Sequence, residues 1–170
     1  MEKQKLEQYL NTNTARLYCV LDGASVPKLP MRLYESGTPN ECLFSGDLAA
    51  DIAYVAPYLA YLGPGERFTE WVLTEGFGKH WGIFLHTRFS MNEMRKHFRS
   101  LVNAYDENAN SLIFRFYDPR VIRKFLPTCT VEELGTFFGK VDSFFGESED
   151  GNALVQYQIA DNALKETVLN

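Results

Sequence analysis

The spacing of apolar positions along the chain predicts a strand in some segments and a helix in others. Short apolar runs rich in β-branched and aromatic side chains predict strands, and they cover 16–21, 41–44, 58–62, 80–86, 112–117, 141–145 and 154–159. Helical spacing of apolar residues predicts helices over 2–11, 26–35, 68–75, 90–102, 119–125, 130–138 and 160–168. Polar turns are predicted at 106–111 and 147–152, and a turn or short helix at 47–51. This alternation predicts an α/β fold, a single domain with a mixed β-sheet flanked by helices.

Local signals place two helix starts and one close backbone contact. Ser90 with Glu93, and Thr130 with Glu133, have the spacing of a capping box. In this motif the hydroxyl accepts from an amide one turn later and the carboxylate reaches back to the first amide. Gly82 lies inside an apolar run, where the absent side chain indicates that a neighbouring backbone approaches closely.

Composition favours a cytoplasmic globular protein over a nucleic-acid or membrane protein. The chain has 170 residues, 45% of them apolar, and a net charge of −5, so one domain can bury a core and no basic field is present for nucleic acid. No apolar segment is long enough for a membrane span, and no signal-peptide pattern opens the chain. Three widely spaced cysteines give no disulfide framework and no metal-binding pair, which suits a reducing compartment: Cys19, Cys42 and Cys129.

No motif for catalysis or cofactor binding is present. The chain lacks the glycine spacings of nucleotide-binding loops and the GxSxG pattern of a hydrolase. His80 and His86 would lie about 20 Å apart along an extended strand, so they cannot share a metal ion there. His97, on a capped helix, is interpreted as a structural histidine. We therefore expect a non-enzymatic protein without a catalytic residue, a cofactor or a metal.

The stretch FRFYDPRV, residues 114–121, contains the most conspicuous cluster of charged and aromatic residues. Its apolar positions predict a strand buried on both faces, and Asp118 followed by Pro119 predicts a helix start. Arg115 is then a charge inside a buried strand, which requires a carboxylate or several carbonyls as partners. Asp22, at the end of another predicted central strand, is the candidate partner for a structural ion pair.

A different interpretation of the same residues is a ligand site. Arg115, Asp118 and Arg120 could line a concave pocket for a small molecule, which would make the protein a small-molecule-binding domain. The alternative predicts that the three side chains converge on a cavity.

Several segments together resemble a known bacterial family. Taken in order, they are similar to the type VI secretion effector-chaperone or adaptor family (Tap), long catalogued as a domain of unknown function. The resemblance runs from about residue 16 to 146, and the combination of WGIFL with FRFYDPRV is its most specific part. The segments are LYCVLDGA (17–24), APYL (56–59), FTEWVLTEGFGKHWGIFL (68–85), LIFRFYDPRVIRKFLPT (112–128) and FFGKVDSFF (137–145).

The resemblance implies an adaptor rather than an enzyme. Members of this family bind a cognate toxic effector and help to load it onto the spike protein VgrG of the secretion apparatus. We expect the chain to be organised as an N-terminal helix over 1–15, an adaptor domain over 16–146 and a C-terminal extension over 147–170 that packs on the same domain. A third possibility is an immunity or inhibitor protein for a toxin, which would also be small, acidic and cytoplasmic.

Aromatic and basic side chains are the candidates for partner contact. Aromatic residues often anchor interfaces, and a basic helix face can meet an acidic partner. For the aromatic residues a place in the core is the competing interpretation, and for the basic residues it is a solvated face. The candidates are Trp71, Phe77, Trp81, Arg120, Arg123 and Lys124.

Overall fold

The computed structural model describes residues 3–11, 15–105, 108 and 111–170. Within these residues the helices are α1 (Lys3–Leu10), α2 (Leu29–Ser36), α3 (Ala50–Val55), α4 (Arg67–Trp71), α5 (Met91–Val102), α6 (Pro119–Phe125) and α7 (Val131–Phe138). A π-helical turn, Val72–Gly76, continues α4, and a 3-10 turn, Leu126–Thr128, continues α6. The strands are β1 (Arg16–Asp22), β2 (Asn40–Cys42), β3 (Pro57–Tyr61), β4 (Gly82–Thr87), β5 (Asn103–Tyr105), β6 (Ser111–Ile113), β7 (Ser143–Glu147), β8 (Leu154–Ala160) and β9 (Ala163–Leu169).

Seven strands form one open sheet in the order β2-β3-β1-β4-β7-β8-β9. The predicted α/β class is confirmed, and every pairing between the described strands of this sheet is antiparallel rather than mixed. At one side, β7, β8 and β9 follow each other through turns, which can join only antiparallel neighbours. Residues after 147 therefore complete the sheet.

Helices cover both faces of this sheet and produce a three-layer arrangement. Alternate residues of each strand point to opposite faces, so each central strand contributes to two separate clusters. The cluster beneath α5, α6 and α7 includes Tyr18, Val20, Ile83, Leu85, Phe98, Ile122, Phe137 and Phe144. The cluster beneath α1, α2 and α4 includes Leu6, Leu10, Cys19, Leu21, Leu29, Leu33, Phe68 and Phe84.

The buried strand predicted over 112–117 is wrong. Only Ser111–Ile113 is extended, and it pairs with β5 in a separate two-stranded ribbon where Leu112 and Ile113 are exposed. The chain then turns inward, and consecutive residues Phe116 and Tyr117 are both buried. The apolar run serves a packed cluster of aromatic rings rather than a sheet, and periodicity alone does not separate these outcomes. The turn predicted at 106–111 lies mostly outside the described residues.

The final helix predicted over 160–168 is also wrong, because this segment forms β9. Asp161 and Asn162 have φ values of 51° and 58°, the left-handed conformation that a two-residue hairpin turn requires. Ala160 and Ala163 then pair directly, and the register continues to Leu154 opposite Leu169. Pairing with β8 outweighs the helical propensity of the segment. The remaining predicted elements are present with boundaries shifted by a few residues.

The backbone of β1 approaches β4 closely at Gly82, as predicted. A Cβ atom at this position would collide with the carbonyl oxygen of Val20 and approach the Cα atom of Leu21. Gly135, in α7, has open space around the same position. The two glycines therefore form a matched pair for testing how closely the central strands approach.

We expect Gly82→Ala to lower the free energy of unfolding by about 3 kcal/mol or more, because backbone atoms of β1 cannot move aside independently. Gly135→Ala should raise it by about 0.5–1 kcal/mol, the gain from replacing an exposed helical glycine. Urea denaturation of both variants measures the difference. A loss below that of an ordinary surface substitution for Gly82→Ala would contradict the close approach.

Two histidines, the buried His86 and the partly buried His97, have backbone partners. Nε2 of His86 lies 2.6 Å from the carbonyl oxygen of Leu10, which ties the end of α1 to β4. Nε2 of His97 lies 2.9 Å from the carbonyl oxygen of Phe137, which ties α5 to α7. Burial lowers the pKa of both imidazoles below the ordinary value of 6.5.

Protonation of these histidines should destabilise the fold. Their lowered pKa means that the unfolded chain binds more protons just below pH 6.5, so the free energy of unfolding falls as the pH drops from 6.5 toward the folded-state pKa values. Urea denaturation between pH 7.5 and 5.5 measures this slope. His86→Gln, which keeps a donor for Leu10, should show a shallower slope, and an unchanged slope would contradict the assignment.

Candidate functional site

The charged residues of FRFYDPRV meet the end of β1. Nη2 of Arg115 lies 2.6 Å from Oδ2 of Asp22, so the predicted contact between these residues is present. The same carboxylate accepts from the backbone N–H of Ala24 at 3.1 Å and the hydroxyl of Ser25 at 2.7 Å. Asp22 is buried, whereas the Arg115 side chain is 45% exposed. The Arg115 side chain therefore covers the buried Asp22 carboxylate and remains partly accessible to solvent.

Asp118 caps α6, as predicted, and also binds a second arginine. Its carboxylate accepts from the backbone N–H of Arg120 at 2.9 Å and from two guanidinium nitrogens of the same residue at 2.9 and 2.7 Å. Pro119 occupies the first turn of α6. Burial favours the neutral acid, but the bonds from Arg120 and the nearby charge of Arg115 outweigh it and hold the pKa of Asp118 below its ordinary value.

Each arginine of this cluster pairs with a carboxylate. Arg115 binds Asp22 and lies 3.8 Å from Asp118, and Arg120 binds Asp118. Such pairs fix the irregular segment before α6 against the end of β1. Two pockets formed by the described residues are lined by α2, α4 and the segments next to them, not by Arg115, Asp118 or Arg120.

Glu147 is a buried carboxylate that the sequence did not single out, since it was assigned to a polar turn. It ends β7, accepts from the backbone N–H groups of Gly78 and His80 at 3.0 and 3.1 Å, and has its Oε2 2.7 Å from Nδ1 of His80. Burial raises the pKa of its carboxyl despite the bonds from His80 and Gly78. His80 thus lies before β4, where Glu147 fixes the loop ahead of Trp81.

The candidate aromatic residues differ in accessibility. Trp81 is buried, as the core interpretation expects, whereas Trp71 and Phe77 are partly exposed. The rings of Trp71 and Trp81 lie 4.9 Å apart, and the guanidinium of Arg32 lies 4.9 Å from the Trp71 ring. Trp71 therefore contacts both a buried ring and a cation, and part of its surface is in solvent.

Trp71 also lines a groove between α2 and α4. The part of the groove at Trp71 has a volume of about 500 Å³, and an adjoining pocket of about 300 Å³ continues it toward 37–39. Four residues line both parts: Glu35, Ser36, Arg67 and Phe68. We call the two parts together the α2–α4 groove; its remaining charged or aromatic lining residues are Arg32, Glu66, Glu70, Trp71 and Glu75.

Two of the three candidate basic residues of α6 already have acidic neighbours in the structure. Arg120 binds Asp118, and Arg123 lies 3.8 Å from Glu149. Lys124 is exposed. This face is therefore less positive than the sequence suggests.

Exposed apolar side chains concentrate on the two neighbouring helices α2 and α3. Tyr34 is 88% exposed, and α3 contributes no buried residue. The exposed apolar residues of these helices are Met31, Tyr34, Ile52, Tyr54 and Val55. Among the helices of the described chain, none has the length and apolar content needed to cross a membrane.

Replacing Asp22 tests the ion pair at the end of β1. We expect Asp22→Ala to lower the free energy of unfolding by about 1–3 kcal/mol, because it removes a buried acceptor shared by three donors. The control is Glu75→Ala, which breaks an exposed pair with Lys79 and should cost less than about 0.5 kcal/mol. Urea denaturation measures both, and equal losses would contradict a structural role for the buried pair.

Comparison with known proteins places the chain in one family. The sequence profile described as "Domain of unknown function (DUF4123)" matches residues 17–136. No curated protein and no solved structure matches the chain. The matched region extends from β1 into α7, and it includes the Asp22–Arg115 pair and the α2–α4 groove. Since the match covers well over half of the sequence, the protein belongs to the DUF4123 family.

Proposed function

We propose that the protein is a non-enzymatic adaptor that binds a cognate toxic effector in the cytoplasm and helps to load it onto the type VI secretion spike protein VgrG. The observation that carries the proposal is the overlap between the family match over 17–136 and the segments that resemble the type VI adaptors. Four of those segments, 17–24, 56–59, 68–85 and 112–128, lie inside the matched region.

The arrangement of charged groups supports a scaffold function for FRFYDPRV. Two ion pairs, Arg115 with Asp22 and Arg120 with Asp118, connect these residues. The pairs hold β1, the segment before α6 and α6 itself together. A ligand would have to compete with these internal bonds. The FRFYDPRV stretch thus fits a structural role, in which it stabilises the fold while another part of the surface binds the partner.

The exposed apolar residues supply such a surface. Met31 and Tyr34 are exposed on α2, and Ile52, Tyr54 and Val55 are exposed on α3, a helix that contacts α2. Clusters of exposed apolar side chains are typical of protein-binding surfaces. An adaptor requires this kind of surface, whereas a catalytic site would require convergent reactive groups.

Deletion of the gene in its native host tests the proposal. We expect secretion of one toxic effector to be lost while VgrG is still secreted, because an adaptor acts on its own cargo. Complementation with the tagged protein should restore secretion, and the tagged protein should co-purify with the effector and VgrG. Quantitative mass spectrometry of culture supernatants measures the loss.

Two results would contradict the proposal. Unchanged secretion of every effector after deletion would remove the adaptor function. Protection of cells that express the toxin, with secretion unaffected, would identify an immunity protein instead.

A further inference from the structure

We infer that the α2–α4 groove is the surface that seats a basic, partly apolar segment of the partner polypeptide. The inference rests on the proposed function, since it takes the partner to be a protein. It assigns a surface to that partner and specifies the chemistry that the surface recognises.

The floor of the groove is aromatic and packs against the core. Phe68 is buried beneath it, with its ring 5.5 Å from that of Trp71, and Trp71 in turn packs against Trp81. Gly76 fits against the Trp81 ring, where a Cβ atom would lie 2.8 Å from a ring carbon. An apolar side chain from a partner would therefore meet a preformed surface, which avoids the entropic cost of ordering it.

The rim of the groove carries more negative than positive charge. Four carboxylates line it, at Glu35, Glu66, Glu70 and Glu75, against the guanidinium groups of Arg32 and Arg67. Glu75 also pairs with the Lys79 ammonium at 3.5 Å, so four carboxylates stand against three cations at this rim. The Arg32 guanidinium also lies over the Trp71 ring. A segment with lysine or arginine beside its apolar anchor would complement this rim, whereas an acidic segment would be repelled.

The dimensions of the groove suit a short peptide segment. The α2 wall has eight residues, a length of about 12 Å at the rise of an α-helix. The groove continues past Gly37 to Pro39 at the end of α2. Met31 and Tyr34 of α2 are exposed and do not line the groove, so they offer further apolar contact to a polypeptide that extends beyond it over the helix.

Irregular helical geometry accompanies the other wall. The π-helical turn Val72–Gly76 directly follows α4 and places Thr74 and Glu75 at the groove. Such π-helical turns are often found at functional sites. The π-helical turn is thus a third feature, besides the aromatic floor and the charged rim, that points to the groove as a binding surface.

Two synthetic peptides test the inference directly. Both have twelve residues, the same leucine and tryptophan positions and a fluorescent label; one has lysine at its polar positions and the other glutamate. We expect the full-length protein to bind the lysine peptide at least about tenfold more tightly, with affinity falling as salt is raised. Fluorescence anisotropy measures both affinities. Equal affinities for the two peptides would overturn the inference.

Matched charge reversals locate the binding surface. Glu35→Lys changes an exposed residue of the groove, and Glu166→Lys changes an exposed residue of β9 as the control. We expect Glu35→Lys to weaken binding of the lysine peptide at least about fivefold. The fold-change in affinity for Glu166→Lys should be less than half of that. Trp71→Ala should also weaken binding, provided that its urea midpoint shows a folded protein. Equal effects of Glu35→Lys and Glu166→Lys would overturn the inference.

Secretion by the same variants separates this inference from the proposed function. If gene deletion abolishes effector secretion but Glu35→Lys and Trp71→Ala both restore it fully, the adaptor function stands and the groove assignment fails. If deletion leaves secretion unchanged while peptide binding follows the groove charges, the groove assignment stands and the adaptor function fails.

Discussion

The central strands β1 and β4 are buried on both faces, and the rest of the architecture follows from this constraint. All residues of β4 and all but the first of β1 are buried, so neither face of the sheet can remain in water. Helices must therefore cover both sides. Close approach at Gly82 allows the two strands to pair along their length.

Burial of the sheet confines charged groups to its ends and borders. Asp22 stands at the end of β1 and Glu147 at the end of β7, and each buried carboxylate is surrounded by donors. Arg115 and His80, which approach these carboxylates, come from segments outside the sheet. The polar interactions thus attach the irregular segments before α6 and β4 to an apolar core.

The outer surface of α2 connects fold and proposed function. One side of the helix buries Leu29 and Leu33 in the core, and the other sides present the groove and the exposed Tyr34. Because the core side is fixed by packing, the two outer sides can carry binding residues without disturbing the sheet. The aromatic contact between Trp71 and Trp81 links the floor of the groove directly to the base of β4.

Local physical chemistry determined much of what the sequence alone predicted. The capping boxes at Ser90 and Thr130 and the helix start at Asp118 each depend on residues within one turn, and all are present. The pairing of Arg115 with Asp22 was predicted from a buried strand that does not form, and the Arg115 side chain is 45% exposed. The buried charge of the pair is the Asp22 carboxylate, which requires donors for the reason that was applied to the arginine.

Tertiary structure decided the features that depend on distant residues. Phe116 and Tyr117 leave the strand because rings from other elements surround them, and 163–169 extends because β8 offers a pairing edge. Glu147 is buried by a loop nearly seventy residues earlier in the chain. The α2–α4 groove exists only between two packed helices, so its floor and rim combine residues that no local pattern connects.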